Sequence, residues 1–480
     1  MPNLTIHVDQ QQPVFTNGDT ISGHITLQVN DRIDLNEITI ELLGISETRI
    51  SNSQGPGKSY RSHVLVKRSV RVFPEQFSEL KSSHYTLGNG TYSYPFSLQF
   101  PSSTTPIECI ANSFTGRCGF IYHNTIDAPA TIPPTFYYGL FEDFARVTYQ
   151  LVAVIHKHAF YKLNLRASHP LFFSPKNSWL SFSLSHIYDG KRSHIMRNSE
   201  TVDCKIGFQS TAPPATTFVK RLLSSSTISL PFVAVCQFKP FISRTFNEGT
   251  TNRLLPVDTP LPDLLDIKLI SLISPKEIRK LLNNDDDEAF NSKKKRSTTH
   301  NNTPPEQIVI TRLRVSLQEL ITFSTTVQKG AVNEFAIQDT TLNHTLNLDT
   351  DFDRMPISSV PIAKKITDKW GNRITEHCYG MSLFPEWFNA KIPRTPQSFV
   401  CCNIQNDYTL SVRLDLSTTL GKKNSSAKCY CPVVILRDES TNAVPEDVPQ
   451  YTQDIQPGEL SIQDTAPQYT EDELPNYSAQ

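Results

Sequence analysis

The sequence predicts an all-β protein: two β-sandwich domains followed by an unstructured acidic tail. Three observations carry that prediction. Apolar residues recur with a period of two along many segments, turn residues punctuate those segments, and no long stretch repeats with a helical period. The 480 residues exceed what one hydrophobic core serves, so two large domains are expected. A hydrophobic share of 38% supplies both cores, and 33 prolines beside only 4 methionines favour strands and turns over long helices.

In the first half, Ile21, Ile25, Leu27 and Val29 alternate with Ser22, His24, Thr26 and Gln28, which marks a strand with one buried face. Asn17-Gly18-Asp19 just before it is a turn signal. Further alternations run through Ile38, Ile40 and Leu42, through Val64, Val66 and residues 70–73, and through Phe96, Leu98 and Phe100 up to Pro101. Val147, Tyr149, Leu151, Ala153 and Ile155 give the clearest inward face. Stretches 51–59 and 102–106, rich in Ser, Gly, Asn and Pro, read as loops. Ser168-His169-Pro170 and Ser174-Pro175-Lys176-Asn177 suggest the junction, so the domains are set at 1–172 and 178–437.

Strand patterns resume at 180–184, 202–208, 229–238 and 266–273. Ser274-Pro275-Lys276-Glu277 then reads as a helix start: Ser caps, Pro suits the first helical position, and Glu stands three residues after Ser. Ile278, Leu281 and Leu282 form the apolar face of that short helix. Residues 283–306 have no apolar pattern; an acidic run through Asp285 and Glu288 and a basic run at 293–296 mark a flexible charged insertion. Strands continue at 308–317, at Tyr408, Leu410, Val412, Leu414 and Leu416, and at 433–436.

Residues 438–480 hold ten acids and no Lys or Arg, too polar to offset their ordering entropy by burial, so this tail is expected to be disordered. The rest carries 46 basic and 37 acidic residues, a positive surplus suited to acidic peptide segments or an anionic membrane face. No clustered Arg with interleaved aromatics points to nucleic acid. The nine cysteines include no CxxC pair, so no metal site is expected; Cys429 and Cys431 share a strand face, which is no metal-ligand spacing. The start MPNLTIHVDQ lacks a basic and an apolar region, and no apolar run reaches membrane-spanning length. The expectation is therefore a cytoplasmic protein with reduced thiols.

The tail carries Val448-Pro449-Gln450-Tyr451, Ala466-Pro467-Gln468-Tyr469 and Leu474-Pro475-Asn476-Tyr477. Each is apolar–Pro–polar–Tyr, the pattern that WW domains read. The proline favours polyproline II and packs in an aromatic groove, and the tyrosine enters a neighbouring pocket. No Pro-x-Tyr occurs in residues 1–437, and roughly 0.1 would arise in the tail by chance. Val448, Ala466 and Leu474 stand where the full motif has a first proline, which weakens each single contact. Linked sites restore affinity toward a partner with several WW domains. Acids flank Tyr469 and Tyr477, so phosphorylation is a compatible second use.

This arrangement resembles the fungal arrestin-related trafficking adaptors, or α-arrestins. The segment from Phe15 through Asn17-Gly18-Asp19 to Gly23 is similar to the family's first sandwich hairpin, and Tyr94-Pro95-Phe96-Ser97-Leu98-Gln99-Phe100-Pro101 to its central N-domain strand. Phe144-Ala145-Arg146-Val147-Thr148-Tyr149-Gln150-Leu151 looks like the strand that closes that core. Leu230-Pro231-Phe232, the alternation from Tyr408 to Leu416, and the run from Pro432 look like C-domain strands. The resemblance implies arrestin-like N- and C-domains without a cofactor. It implies an adaptor that binds the WW domains of a HECT-type ubiquitin ligase through Val448, Pro449, Tyr451, Ala466, Pro467, Tyr469, Leu474, Pro475 and Tyr477. The adaptor would bring the ligase to cytosolic segments of plasma-membrane transporters for ubiquitination and endocytosis, moving to plasma membrane and endosomes and being modified by ubiquitin itself. The alternative within the fold is a cargo-sorting scaffold of the endosomal system acting without a ligase. An enzyme is not expected: GxSxG, P-loop and HExxH patterns are missing, and His156 and His158, though on one strand face, have no nearby acid or cysteine to complete a metal set.

Overall fold

The computed structural model describes residues 2–9, 14–51, 57–74, 84–102, 132–140, 142–157, 164–176, 204–209, 227–239, 254–271, 273–283, 307–325, 328–356, 377–419 and 425–436. The strands expected at 180–184, the charged runs at 285–288 and 293–296, and the whole tail lie outside them. By internal contacts all the described residues fall in one compact unit.

The first half supplies β1 (Asn3–Val8), β2 (Thr20–Val29), β3 (Ile33–Ser51), β4 (Lys58–Phe73), β5 (Tyr85–Leu87), β6 (Gly90–Gln99), β7 (Phe136–Leu140), β8 (Asp143–Lys157) and β9 (Leu165–Leu171). One sheet runs β1-β2-β6; the other runs β4-β3-β8-β7, with β5 beside β3 and β9 beside β8. The period of two produces this sandwich directly. Ile21, Ile25 and Leu27 of β2 and Val147, Leu151, Ala153 and Ile155 of β8 are fully buried, and with Phe15, Phe100, Tyr149 and Phe173 they fill one core. Burying each such side chain is worth about 1.5–3 kcal/mol.

The Asn17-Gly18-Asp19 turn forms as read. Gly18 takes φ +82°, the left-handed region where a Cβ is strained. The Asp19 carboxylate accepts the Thr16 N–H at 2.8 Å. Buried Asn17 donates to Ser102 O and accepts from Lys176 N, which ties the turn to the chain leaving the sheet. Ser168, His169 and Pro170 sit in β9, paired with β8, and Phe173 beyond them packs in the first core. A proline is admitted there because, among the described residues, β9 has a strand partner on one side only.

The second half contains β10 (Cys204–Gln209), β11 (Thr227–Phe238), β12 (Leu254–Pro256), α1 (Leu261–Leu264), β13 (Leu265–Ser271) and α2 (Pro275–Asn283). It continues with β14 (Ile308–Ser324), β15 (Gln328–Thr345), β16 (Asp353–Pro356), β17 (His377–Ser382), β18 (Phe399–Val400), β19 (Ile404–Thr418) and β20 (Ser425–Leu436). One sheet is β10-β11-β13-β17-β16; the other is β12-β20-β19-β14-β15, with β18 on β19. Leu410, Val412, Leu414 and Leu416 of β19 are fully buried in the core between them. The predicted helix start is borne out as a reciprocal capping box: Ser274 N–H donates to Glu277 Oε2 at 2.9 Å and Glu277 N–H to Ser274 Oγ at 3.2 Å. Ile278 is buried on its inner face. No helix among the described residues is long and apolar enough to cross a membrane.

The long strands serve both cores. Leu313, Val315 and Leu317 of β14 pack in the second core, whereas Ile321 and Phe323 pack in the first. On the β18–β19 side, Phe399, Cys401 and Ile404 likewise join the first core while Leu410 belongs to the second. One continuous sheet therefore fastens the two sandwiches together.

Candidate functional site

Along that fastening lies a seam of buried polar residues. Ser46, Glu47 and Thr48 of β3 are at most 4% exposed, although their residue types favour solvent. Each finds a partner far along the chain. Ser46 Oγ donates to Asn403 Oδ1, Asn403 Nδ2 donates to Thr48 Oγ1 at 3.1 Å, and Thr48 Oγ1 donates to Ser324 O at 2.7 Å. On the opposite face of β3, and within the same sheet, the Glu47 carboxylate receives the Arg146 guanidinium of β8 at 2.5 Å and the Tyr60 hydroxyl of β4. Tyr60 titrates above its ordinary value because burial and the Glu47 carboxylate both oppose a phenolate. Arg146 and Arg49 flank the Phe144 ring, 5.0 and 4.9 Å from its centre.

A second knot lies across β14, β15 and β19. The Tyr408 hydroxyl donates to buried Glu319 at 2.7 Å, Asn333 Nδ2 donates to the other carboxylate oxygen at 2.9 Å, and Asn406 Nδ2 donates to the Tyr408 oxygen at 3.1 Å. Burial, then Glu319, pushes the Tyr408 phenol well up. Beside the seam opens a cleft of about 590 Å³, lined by Tyr138 and Gly139 of β7, Asp143 of β8, Phe323 of β14 and Lys329 and Ala331 of β15. Lys329 pairs with Asp143 across it. Burial disfavours the Asp143 carboxylate, but hydrogen bonds from Lys329 and from Ser51 N outweigh it and hold the group below its usual value.

The outer edge of the first sandwich differs. Strand β4 pairs with β3 on one side, and among the described residues no strand pairs with its other side. It carries Lys58, Arg61, Lys67, Arg68 and Arg71 and no acid. Lys58, Lys67, Arg68 and Arg71 are exposed. An unpaired basic strand offers backbone hydrogen bonds and positive charge together, which suits an extended acidic peptide. The overall basic surplus is plain in the sequence, whereas that count does not show this run of five basic residues on one strand. A scan of charge along strands would have found it.

The sequence-predicted site residues Val448, Pro449, Tyr451, Ala466, Pro467, Tyr469, Leu474, Pro475 and Tyr477 lie outside the described residues. His156 stands 3.1 Å from Thr39 Oγ1 rather than in a ligand set, and His158 lies outside the described residues. Cys236, Cys378, Cys401, Cys429 and Cys431 are buried reduced thiols; Cys402, by contrast with the expectation of reduced thiols, is disulfide-bonded. Spacing could not foresee that Cys236, nearly two hundred residues earlier in the chain, joins Cys429 and Cys431 in one cluster.

Two β-sandwiches share one continuous sheet and are fastened by a polar seam, and the fold is of the arrestin type. Residues 4–159 match the family described as arrestin (or S-antigen), N-terminal domain. Part of the chain is similar to Arrestin-related trafficking adapter 10 of Saccharomyces cerevisiae. Identity is 29% over 135 residues for strain RM11-1a and 28% for strain S288c, covering 25% of this chain and 25% of each relative. The match thus spans a quarter of those relatives' length. The resemblance to arrestin-related adaptors and the all-β, arrestin-like sandwich architecture expected from the sequence are borne out.

Proposed function

We propose that the protein is a non-enzymatic trafficking adaptor that recruits a WW-containing HECT-type ubiquitin ligase to plasma-membrane transporters, promoting their ubiquitination and endocytosis. The observation that carries this reading is the presence, in one chain, of an arrestin N-terminal domain and three Pro-x-Tyr motifs. The name of the yeast relatives, trafficking adapters, supports it. In this reading the protein is cytoplasmic and moves to plasma membrane and endosomes. The basic edge strand β4 engages an acidic cytosolic segment of the transporter. The motifs at Pro449–Tyr451, Pro467–Tyr469 and Pro475–Tyr477 hold the ligase nearby and raise its effective concentration at substrate lysines. Catalysis belongs to the ligase, which also modifies the adaptor with ubiquitin.

The test is isothermal titration of the full-length chain with a tandem WW-domain fragment, beside a variant with Tyr451, Tyr469 and Tyr477 changed to Ala. Micromolar or tighter binding that the variant loses is the expected result. No binding by the native chain sinks ligase recruitment. It leaves an arrestin-fold scaffold that sorts cargo without a ligase, a reading favoured by the missing first proline in all three motifs.

A further inference from the structure

The core of the second sandwich contains a cluster of thiols that docking does not use. Cys236 lies on β11, and Cys429 and Cys431 lie on β20 of the other sheet. All three are buried in the second core. Their sulfurs lie within 4.8 Å of one another, and Cys429 Sγ is 3.4 Å from Cys431 Sγ. These separations are too long for a disulfide, which needs about 2.05 Å. They fit a shared metal: with metal–sulfur bonds of about 2.3 Å, trigonal geometry sets the sulfurs about 4 Å apart.

The surroundings select the ion. Cys236 pairs in register with Ile267, Cys429 with Val412 and Cys431 with Leu410, and all of these are buried. The group contains no histidine or carboxylate among the described residues. Zinc prefers four ligands, and the fourth here would have to be a water in apolar surroundings. A soft monovalent ion is content with two or three sulfurs. We propose that Cys236, Cys429 and Cys431 form a three-sulfur site for a soft thiophilic cation, Cu(I), that ties the two sheets of the second sandwich together.

Binding exchanges S–H for S–Cu bonds. Two thiolates and one thiol around Cu(I) release two protons and leave the site at one negative charge; loss of the third proton leaves two. Burial disfavours the more charged form, so the singly charged arrangement, with two protons released, is the one expected. The ion binds the folded chain alone, so loading raises stability.

The experiment is an anaerobic titration of the full-length reduced protein with Cu(I), supplied as its acetonitrile complex, against a chromophoric Cu(I) chelator. Copper-edge X-ray absorption is then recorded on the loaded protein. The expected result is one equivalent retained, a near-ultraviolet thiolate-to-copper transition, three sulfurs at about 2.3 Å, and a raised melting temperature. C236A and C431A each lose that equivalent, whereas C378A and C401A keep it. The wild-type sulfur count and stoichiometry decide even if a core variant fails to fold. Copper surrendered to the chelator, copper retained fully by C236A, or retention of Zn(II) but not Cu(I) would overturn the assignment.

Discussion

The seam between the sandwiches and the outer edge formed by β4 are both rich in polar residues, yet they are built on opposite terms. In the seam, Asn403 of the second half meets Ser46 and Thr48 in surroundings that exclude water, and on the other face of the same strand buried Glu47 meets Arg146 and Tyr60 within one sheet. On the edge, Lys58, Lys67, Arg68 and Arg71 face solvent with no acid on their own strand. A buried polar group costs free energy unless it is partnered, so the seam admits one arrangement of the two sandwiches and punishes the rest. An exposed charge costs little alone and attracts at a distance. The comparison teaches that one region fixes geometry through partnered buried groups while the other keeps its charge in solvent.

The largest test of this contrast is Arg146→Ala, which strands the buried Glu47 carboxylate. It should lower unfolding stability by about 3–4 kcal/mol, toward the low end for a broken buried pair because the guanidinium is partly exposed. A urea titration reads it, and a midpoint within error of wild type would show that the Glu47–Arg146 pair does not brace the sheet of the first sandwich. His63, buried on β4 opposite Ser46, gives the next effect. Burial and then Arg61 lower its pKa from 6.5 to about 4. Between those values the unfolded chain binds more protons than the folded one. Stability is therefore complete above pH 6.5 and lost as pH falls toward 4, by about 3 kcal/mol in full. His63→Gln should flatten that part of the stability–pH curve, and an unchanged slope would mean that other groups govern it.

Smaller effects sharpen the picture. Tyr408→Phe removes one of the donors to Glu319 while Asn333 remains, so a loss of about 1–2 kcal/mol is expected. Arg68→Glu combined with Arg71→Glu should leave the melting temperature unchanged. The pair should weaken binding of an acidic cytosolic peptide about tenfold, about 1.4 kcal/mol, in low salt. Most of that difference should vanish near 1 M salt. A double variant that unfolds instead would place these arginines in the framework rather than on a docking edge. Arg312→Ala, which breaks a surface pair with Asp339, should leave the urea midpoint where it is.

Strands that bury one face were legible from the chain alone. The alternations in β2, β8 and β19 fall on fully buried residues, and Ser274 with Glu277 caps α2 as their spacing required. Strand β15 was not legible. It lies at the edge of its sheet, none of its described residues is fully buried, and polar residues such as Asn333, Glu334 and Asp339 interrupt the period of two. The seam was hidden for another reason: Ser46 and Asn403 stand 357 residues apart, and no local pattern announces that they meet.

By itself the sequence determined the class of fold, the inward faces of its strands and the three Pro-x-Tyr motifs, because periodicity and short motifs are properties of neighbouring residues. Only the tertiary structure decided that Glu47 faces Arg146, that the basic residues of β4 lie on an unpaired edge, and that Cys236 joins Cys429 and Cys431. Those contacts depend on strand register and on which sheet lies over which. Both are set by the packing of whole cores rather than by any stretch of chain.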